Sequence, residues 1–532
     1  MSPKGFTPTV GVHPVGVQAS ACPGKAALRR SLSCRLKASL QLATLLLFPL
    51  SLSAIEPGYE ALDLYTASSP SSSRDTTWKP GDGVTLEVSG MAWIGPDRLG
   101  VTVRKGEVWF LDGVLGEDPA KITYHRFASG LHEPLGLLQD GDSYLVAQRA
   151  EVTRLRDTDG DGSADEYLTY ARGWNVTGNY HAYTYGPERD GEGRLWITAN
   201  LGMGERANNK LPWHGWAMLA DGKGGVIPMA AGLRSPCGLG ANLEGDMFVT
   251  DQQGTWVAAT PVHHLRKGVF YTNQEALPTL DHPDSPIKLT APLPKDCAYP
   301  EALRAAPVMA PATVWLPYNK MGRSGTDIQV IDQKGKFGPF DGQLLVGEFT
   351  NSAISRVFLE KVGGEYQGAC FPFLSGFPAA VVRMAFAPDG SLFVGMTNRG
   401  WSSLGNRSYG ITRVRQKGAI PFSICEMRAR PDGFELALTE PADPATAASP
   451  ASYTLESFTF TYSGAYGSDE IEKRPHTIES AAVSPDGLTV RLKVAGLREL
   501  YVHELRASGL RSKQGEPLLF PDAYYTLNKI PR

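Results

Sequence analysis

A turn followed by a short apolar strand recurs along most of this 532-residue chain, and that recurrence restricts the fold more than any other feature. The copies are GPDRLGVTV from Gly95, DGDSYLVAQ from Asp140, GEGRLWITA from Gly191, EGDMFVTDQ from Glu244, DGQLLVGEF from Asp341 and DGSLFVGMT from Asp389. Their starts lie about 45, 51, 53, 97 and 48 residues apart, a spacing characteristic of propeller sheets. One such sheet cannot bury both of its faces, so neighbouring sheets must cover them. The repeats predict an all-β chain with a six-bladed β-propeller over 80–418. The long fourth interval reads as a loop insertion, because Phe270 to Pro311 is rich in Pro and Ala and poor in strand pattern. The 58 glycines and 39 prolines supply the turns that such a fold needs.

After Gly418 the texture changes. FELALTE, ASYTLESFTFTYSG, LTVRLKVAG and YVHELRASG alternate as strands, with Pro-Asp-Gly turns at 431–433 and 485–487. This predicts a C-terminal immunoglobulin-like β-sandwich over 420–532. His476 and His503 within it read as structural.

Residues 1–54 hold six basic groups and no acid, and include the apolar run Ala43 to Leu50 followed by Ser51-Leu52-Ser53-Ala54. That is the pattern of a secretory signal, with an apolar run too short to cross a bilayer. No cysteine follows the run, so a lipoprotein anchor is not supported. Residues 55–79 read as a linker, serine-rich from Ser68 to Ser73. The expectation is a periplasmic or extracellular protein with no integral membrane span once the signal is cleaved. Without the leader, 46 basic residues face 55 acidic ones, about -9 net, which repels phosphate backbones and excludes nucleic acid as a partner. Cys237, Cys297, Cys370 and Cys425 are too widely spaced for a compact zinc site and leave room for one or two disulfides. No Cys-x-x-Cys-His occurs, so the chain carries no c-type haem.

The sharpest motif is DTDGDGSADE from Asp157. Carboxylates at alternating positions around a tight glycine turn present hard oxygens to one centre, as calcium requires. Asp157, Asp159, Asp161, Ser163 and Asp165 are the expected ligands. Position twelve is Leu168 rather than glutamate, so the motif reads as a calcium loop between strands and not as an EF-hand.

Three further features carry chemistry. His181, in GNYHAYTYG, enters the third repeat and is a candidate general base. Arg234 and Ser235, in GLRSPCGLG, precede the fourth, and Thr250-Asp251-Gln252-Gln253-Gly254-Thr255 follows. Arg383, in VVRMAFAPDG, enters the last. An arginine at such a turn suits the clamping of an anionic group.

In their order and repeat positions these segments resemble the soluble quinoprotein glucose/sorbosone dehydrogenases, especially the large relatives known as membrane-bound dehydrogenases, which often carry the DTDGDG loop. The resemblance covers about residues 80–418. It implies a six-bladed propeller binding pyrroloquinoline quinone (PQQ) and calcium at the channel mouth, and oxidation of a sugar or alcohol. His181 would take the substrate hydroxyl proton, Arg234, Ser235 and Arg383 would meet the cofactor, and backbone oxygens of Gly254 and Thr255 would hold calcium. The chain has Gly254-Thr255 where the family usually has Gly-Pro, and Thr350 nearest to where the family has a cofactor-binding lysine.

Two other functions fit the same fold. A non-catalytic propeller that binds carbohydrate or protein would expose aromatics at the mouth, with Trp213, Trp216 and Trp401 as candidates. A lactonase-type calcium hydrolase would surround a channel metal with buried carboxylates, for which the sequence offers no clear set.

Overall fold

The turn that opens each repeat is a hairpin between the first two strands of an antiparallel sheet, as the following computed structural model makes plain. It describes residues 56–64, 71–72, 86–204 and 207–532; the signal segment read over 1–54 lies outside the described residues. At the third repeat, Asp190 Oδ1 accepts from the amides of Glu192 (3.0 Å) and Arg194 (2.9 Å). Gly193 closes the turn at φ 76°, which only glycine adopts without strain. Asp389 and Gly390 repeat the device, with Ser391 N donating to Asp389 Oδ1 at 2.9 Å. In four of the sheets the strand after the turn is covered on both faces: every residue of Leu195–Ala199, Met247–Thr250, Leu344–Glu348 and Leu392–Thr397 is buried. This explains why these strands read as continuous apolar runs rather than alternating ones.

Sheet I contains Val88–Gly95, Arg98–Val103, Glu107–Asp112 and Thr123–Ala128. Sheet II contains Leu138–Asp140, Ser143–Ala147, Glu151–Arg156 and Glu166–Arg172. Sheet III contains Thr184–Arg189, Leu195–Ala199, Trp216–Ala220 and Val226–Ala231. Sheet IV contains Gly238–Ala241, Met247–Thr250, Thr260–His264 and Val314–Leu316. Sheet V begins with Gly325–Val330, Leu344–Glu348, Ala353–Val362 and Glu365–Leu374. Sheet VI contains Val381–Phe386, Leu392–Thr397 and Tyr409–Gln416, and takes its fourth strand, Tyr59–Asp63, from the other end of the chain. That strand falls in the segment read from sequence as linker. Each sheet lies against the next, and Val381–Phe386 returns to Val88–Gly95, so the set closes on itself as a β-propeller. Met91, Leu137, Glu188, Leu239, Asp327 and Arg383, one from each of the six sheets or its entry, line a narrow central channel.

The long fourth interval holds an excursion between the third and fourth strands of sheet IV. It carries a 3₁₀ turn at Gln274–Thr279 and a helix at Tyr299–Ala305, whose Tyr299, Ala302 and Leu303 are buried.

The C-terminal strands are not a detached body. Asp522–Leu527 pairs with the outer strand of sheet V, and Tyr501–Arg506, Thr454–Tyr462 and Glu470–His476 extend the same sheet. Sheet VII (Ile424–Arg430, Gly433–Leu438, Thr489–Val494, Ile478–Val483) covers it. Phe358 and Phe371 of sheet V share one core with Phe434, Leu436 and Leu492. A buried ring of this kind contributes on the order of 2–3 kcal/mol, so the two regions stabilise each other. Alternating strands betray a sheet in the sequence but not which sheet it joins.

His503 is fully buried and His476 bonds Ser457 and the Ala495 carbonyl, both structural roles. Cys237, Cys297, Cys370 and Cys425 are free thiols. Among the described residues no helix is long and apolar enough to cross a membrane.

Candidate functional site

In each sheet the second strand ends in a polar residue where the chain enters the first strand. In five sheets that residue holds the entering loop through its side chain. Gln148 accepts from His132 N, and Asn200 donates to the His181 carbonyl at 3.1 Å. Asp251 accepts from Arg234 N (2.7 Å) and Ser235 N (2.6 Å). Glu348 accepts from Arg323 N and Ser324 N, and Asn398 accepts from Ala380 N. Side chains, four of them buried and Asn398 half-buried, thus fix the loops that surround one mouth of the channel. In sheets III and IV those loops carry His181 and Arg234.

His181 is half-buried, and among the described residues no protein group hydrogen-bonds its ring nitrogens. Burial lowers its basicity below the ordinary imidazole value, and the charges of Arg234, Arg104 and Arg149 lower it further. The imidazole is therefore neutral at neutral pH and offers a free lone pair.

A second layer fixes the loop that carries it. Arg149 donates from Nη1 to the Asn179 carbonyl (2.9 Å) and from Nη2 to the Tyr180 carbonyl (2.8 Å), and its Nε bonds Glu133. Glu133 also accepts from Arg104 Nη2 at 3.1 Å. Burial alone would raise the Glu133 carboxyl, but the two guanidiniums outweigh it and hold the group below its ordinary value. Arg104 in turn lies over the rings of Tyr180 (5.2 Å) and Tyr183 (4.7 Å).

Arg234 and Ser235 join His181 at this mouth. Asn200 Nδ2, bonded to the His181 carbonyl, also reaches Ser235 Oγ at 3.3 Å. Arg234 Nη2 contacts Met203 Sδ at 3.3 Å, while its buried Nε has no hydrogen-bond partner. A Cβ at Gly254 would stand 2.0 Å from that Nε, so only glycine fits beside the guanidinium.

The carbonyls of Gly254 and Thr255, assigned from the resemblance to calcium, are already engaged. Gly254 O accepts from Gly467 N (2.9 Å) and Val257 N (3.1 Å), and Thr255 O accepts from Asn273 Nδ2 (2.8 Å). Cations at this point are supplied by arginine side chains.

Arg383 lies deeper, within the channel. It donates to the carbonyls of Leu135 and Val382, both at 2.8 Å, reaches Cys237 Sγ at 3.6 Å and sits 5.7 Å from the Tyr185 ring centre. The rings of Tyr180, Tyr183 and Tyr185 form a chain of contacts from His181 down to it. Beside Arg383 stand Glu188 and Asp327. Burial pushes Glu188 up to about 8 and Asp327 up to about 6, with Arg383 opposing both.

The DTDGDG loop joins the third and fourth strands of sheet II, at the end of that sheet remote from Arg149. Carboxylate oxygens of Asp157, Asp159 and Asp165 lie within 4.8 Å of one another. Asp161 stands outside this group and accepts from Ser163 N at 2.9 Å; Ser163 is buried. Asp157 bonds the amides of Gly160 and Gly162, both at 2.8 Å, which curls the loop around the three carboxylates.

Of the three tryptophans named from sequence, Trp213 and Trp216 are core residues, packed ring to ring at 5.0 Å. Trp401 is exposed and packs on Phe349 at 4.7 Å. The exposed aromatics beside His181 and Arg234 are Tyr180 and Tyr466.

The profile of a family described as "Domain of unknown function (DUF7133)" matches residues 117–397. No curated protein matches the chain. Solved structures similar to it include three sugar dehydrogenases. The PQQ-bound aldose sugar dehydrogenase of Streptomyces coelicolor is 12% identical, with 68% of this chain and 99% of that chain covered and a TM-score of 0.44. The PQQ domain of Coprinopsis cinerea pyranose dehydrogenase is 11% identical, with 68% and 96% covered and a TM-score of 0.46. The soluble aldose sugar dehydrogenase of Escherichia coli in its apo form is 11% identical, with 68% and 100% covered and a TM-score of 0.44.

Proposed function

The chain belongs to the DUF7133 family, and on that premise we propose that it is an exported six-bladed propeller that oxidises a sugar or alcohol at the His181 mouth with PQQ as cofactor. The C-terminal strands are, on this reading, an immunoglobulin-like sandwich fused to the fifth blade. On this reading the leader would export the protein to the periplasm or outside the cell.

The observation that carries this reading is the state of His181: accessible, without a ring hydrogen bond and kept neutral by burial and three arginines. A neutral imidazole held in a cationic mouth suits removal of a hydroxyl proton while negative charge grows nearby. The unpartnered Nε of buried Arg234 suits an anionic ligand. Arg234 and Ser235 would hold the cofactor, and Arg104 and Arg149 would add to the field. Bound there, PQQ would supply the hydride acceptor. His181 would take the hydroxyl proton as the C–H hydride leaves, so that the alcohol becomes a carbonyl. Arg383, beneath the tyrosines, would act on the site through Tyr185 and Cys237.

Calcium would find few free lone pairs at the mouth, where Gly254 O accepts from two protein donors and Thr255 O from one. It fits the DTDGDG loop, where Asp157, Asp159 and Asp165 converge, and there it would brace sheet II.

A second reading, a carbohydrate-binding propeller without turnover, draws support from exposed Tyr180, Trp401 and Tyr466. The hydrolase reading draws none: the channel carboxylates Glu188 and Asp327 share their space with Arg383, which disfavours a cation there. Reconstitution with PQQ followed by a dye-linked assay over aldoses and alcohols separates the readings. Turnover supports the oxidoreductase; sugar binding without dye reduction supports the binding module.

A further inference from the structure

The loop 463–469 joins Thr454–Tyr462 to Glu470–His476 in the C-terminal region, yet its backbone is fastened to the rim of the His181 mouth. Gly467 N donates to Gly254 O at 2.9 Å and Ser468 N to Ala258 O at 3.0 Å. An antiparallel bridge joins Tyr466 to Thr255 between these bonds. Gly467 has φ 69°, and a Cβ there would stand 2.5 Å from Gln253 Nε2, so the approach requires glycine. Gly464 lies flat on Trp256, where a Cβ would meet the indole at 3.3 Å. On the inner side, Ser468 Oγ accepts from Thr461 N at 2.9 Å. The loop is held on both sides, so the backbone that presents its side chain has a fixed position.

That side chain is Tyr466. The residue is 67% exposed, although a tyrosine gains from burial wherever a neighbour can cover it. The guanidinium of Arg234 stacks 5.4 Å from the ring centre. Arg234 is itself buried, so Tyr466 forms the outer layer and Arg234 the inner one. An exposed ring, carried on a fastened loop and stacked on a cation with an unpartnered donor, is a platform for a ring-shaped polar ligand.

We infer that Tyr466 is the substrate-selecting residue of the mouth: a pyranose ring stacks its C–H face on the tyrosine, outside the group that Arg234 holds. This rests on the oxidoreductase reading for the identity of the inner ligand, but the stacking of sugar stands apart from it. The C-terminal region is thereby a part of the site rather than a spacer. A polar sugar hydroxylated on its edge and apolar on its faces satisfies both layers, whereas a short aliphatic alcohol offers no face to stack.

The test is saturation-transfer NMR on the full-length protein, without PQQ, using D-glucose, cellobiose and maltotriose as probes, with a parallel PQQ titration. Tyr466→Ala is expected to weaken sugar binding about tenfold, the scale of one aromatic stack, while Tyr466→Phe retains it. Melting temperature should change little in both, since the side chain is exposed, and in Tyr466→Ala PQQ affinity should fall less than sugar affinity, since the ring touches the inner ligand only through Arg234. Equal sugar affinity in Tyr466→Ala and wild type, or no sugar binding by wild type, overturns the inference. Failure of wild type to bind PQQ overturns the redox reading instead, and the sugar titration still decides the role of Tyr466.

Discussion

Arg149 donates from Nη2 to the carbonyl of Tyr180 at 2.8 Å, one residue before the candidate base His181. Through Nη1 it also holds the carbonyls of Asn179 and Ala182, so a single guanidinium fixes both flanks of the imidazole. Glu133 neutralises that guanidinium and orients it. Arg149→Lys loses the fork that spans three carbonyls. It should lower kcat by up to about 10²-fold through a small displacement of His181, with PQQ affinity little changed. Glu133→Gln keeps the shape and removes the charge, and should reduce kcat less than Arg149→Lys does. Dye-linked kinetics beside a PQQ titration check both; equal loss of kcat and of PQQ affinity would mean general damage to the mouth.

His181 sets a pH dependence with a definite sign. Burial and three arginines hold its conjugate acid below the ordinary value of 6.5. The base form is therefore complete at neutral pH and is lost only as pH falls through the lowered value. The rate profile should be flat from neutral to mildly alkaline pH and decline on the acid side, below the usual imidazole range. Arg104→Gln removes one of the opposing charges, so the acid limb should move to higher pH.

Glu188 gives a second, separable pH effect. Its folded value is raised to about 8 from 4.5, first by burial and then by Asp327. An acid raised on folding contributes fully below its unfolded value and loses that contribution as pH climbs through the folded one. Melting temperature should thus fall between about pH 4.5 and 8 through this group, a window read from linkage. Glu188→Gln should flatten the decline and be the more stable protein at pH 8. Thermal melts across that window decide it.

The calcium loop predicts one ion per chain. Calcium at 100 times its dissociation constant should stabilise by about 2.7 kcal/mol, and chelator should remove the gain. Asp157→Asn should abolish the calcium-dependent rise in melting temperature, because Asp157 both joins the carboxylate cluster and shapes the loop. Asp161→Asn should matter less, since Asp161 stands outside the cluster. Two ions per chain would place calcium at a second point, against the engagement of the Gly254 and Thr255 carbonyls.

Much of the fold was legible in the sequence because the repeat has a local cause. In sheets III, IV and VI an Asp or Asn side chain and a glycine close the hairpin, and the doubly covered second strand writes a continuous apolar run. Tyr59–Asp63 escaped because a closing strand pairs with a partner at the far end of the chain and has no repeat to announce it. The joining of Glu365–Leu374 to Asp522–Leu527 escaped for the same reason. At the site, His181, Arg234 and Ser235 come together as their places in successive repeats suggest, while Arg383 lies below them. Aligning the ends of the apolar runs shows Gln148, Asn200, Asp251, Glu348 and Asn398 at one position, the residues that hold the entering loops. Glu133 and Tyr466 have no such signal, because each acts across loops that share no pattern.

Substrate-driven reduction of bound PQQ tests the central claim most directly. Wild-type protein and His181→Ala are loaded with PQQ, mixed with the best sugar of the panel and followed by the cofactor's absorption. The account predicts equal loading in both, rapid loss of the oxidised spectrum in wild type and its persistence in His181→Ala. Equal rates of reduction in the two proteins, or a wild type that loads PQQ and never reduces it with any sugar or alcohol, would contradict the account.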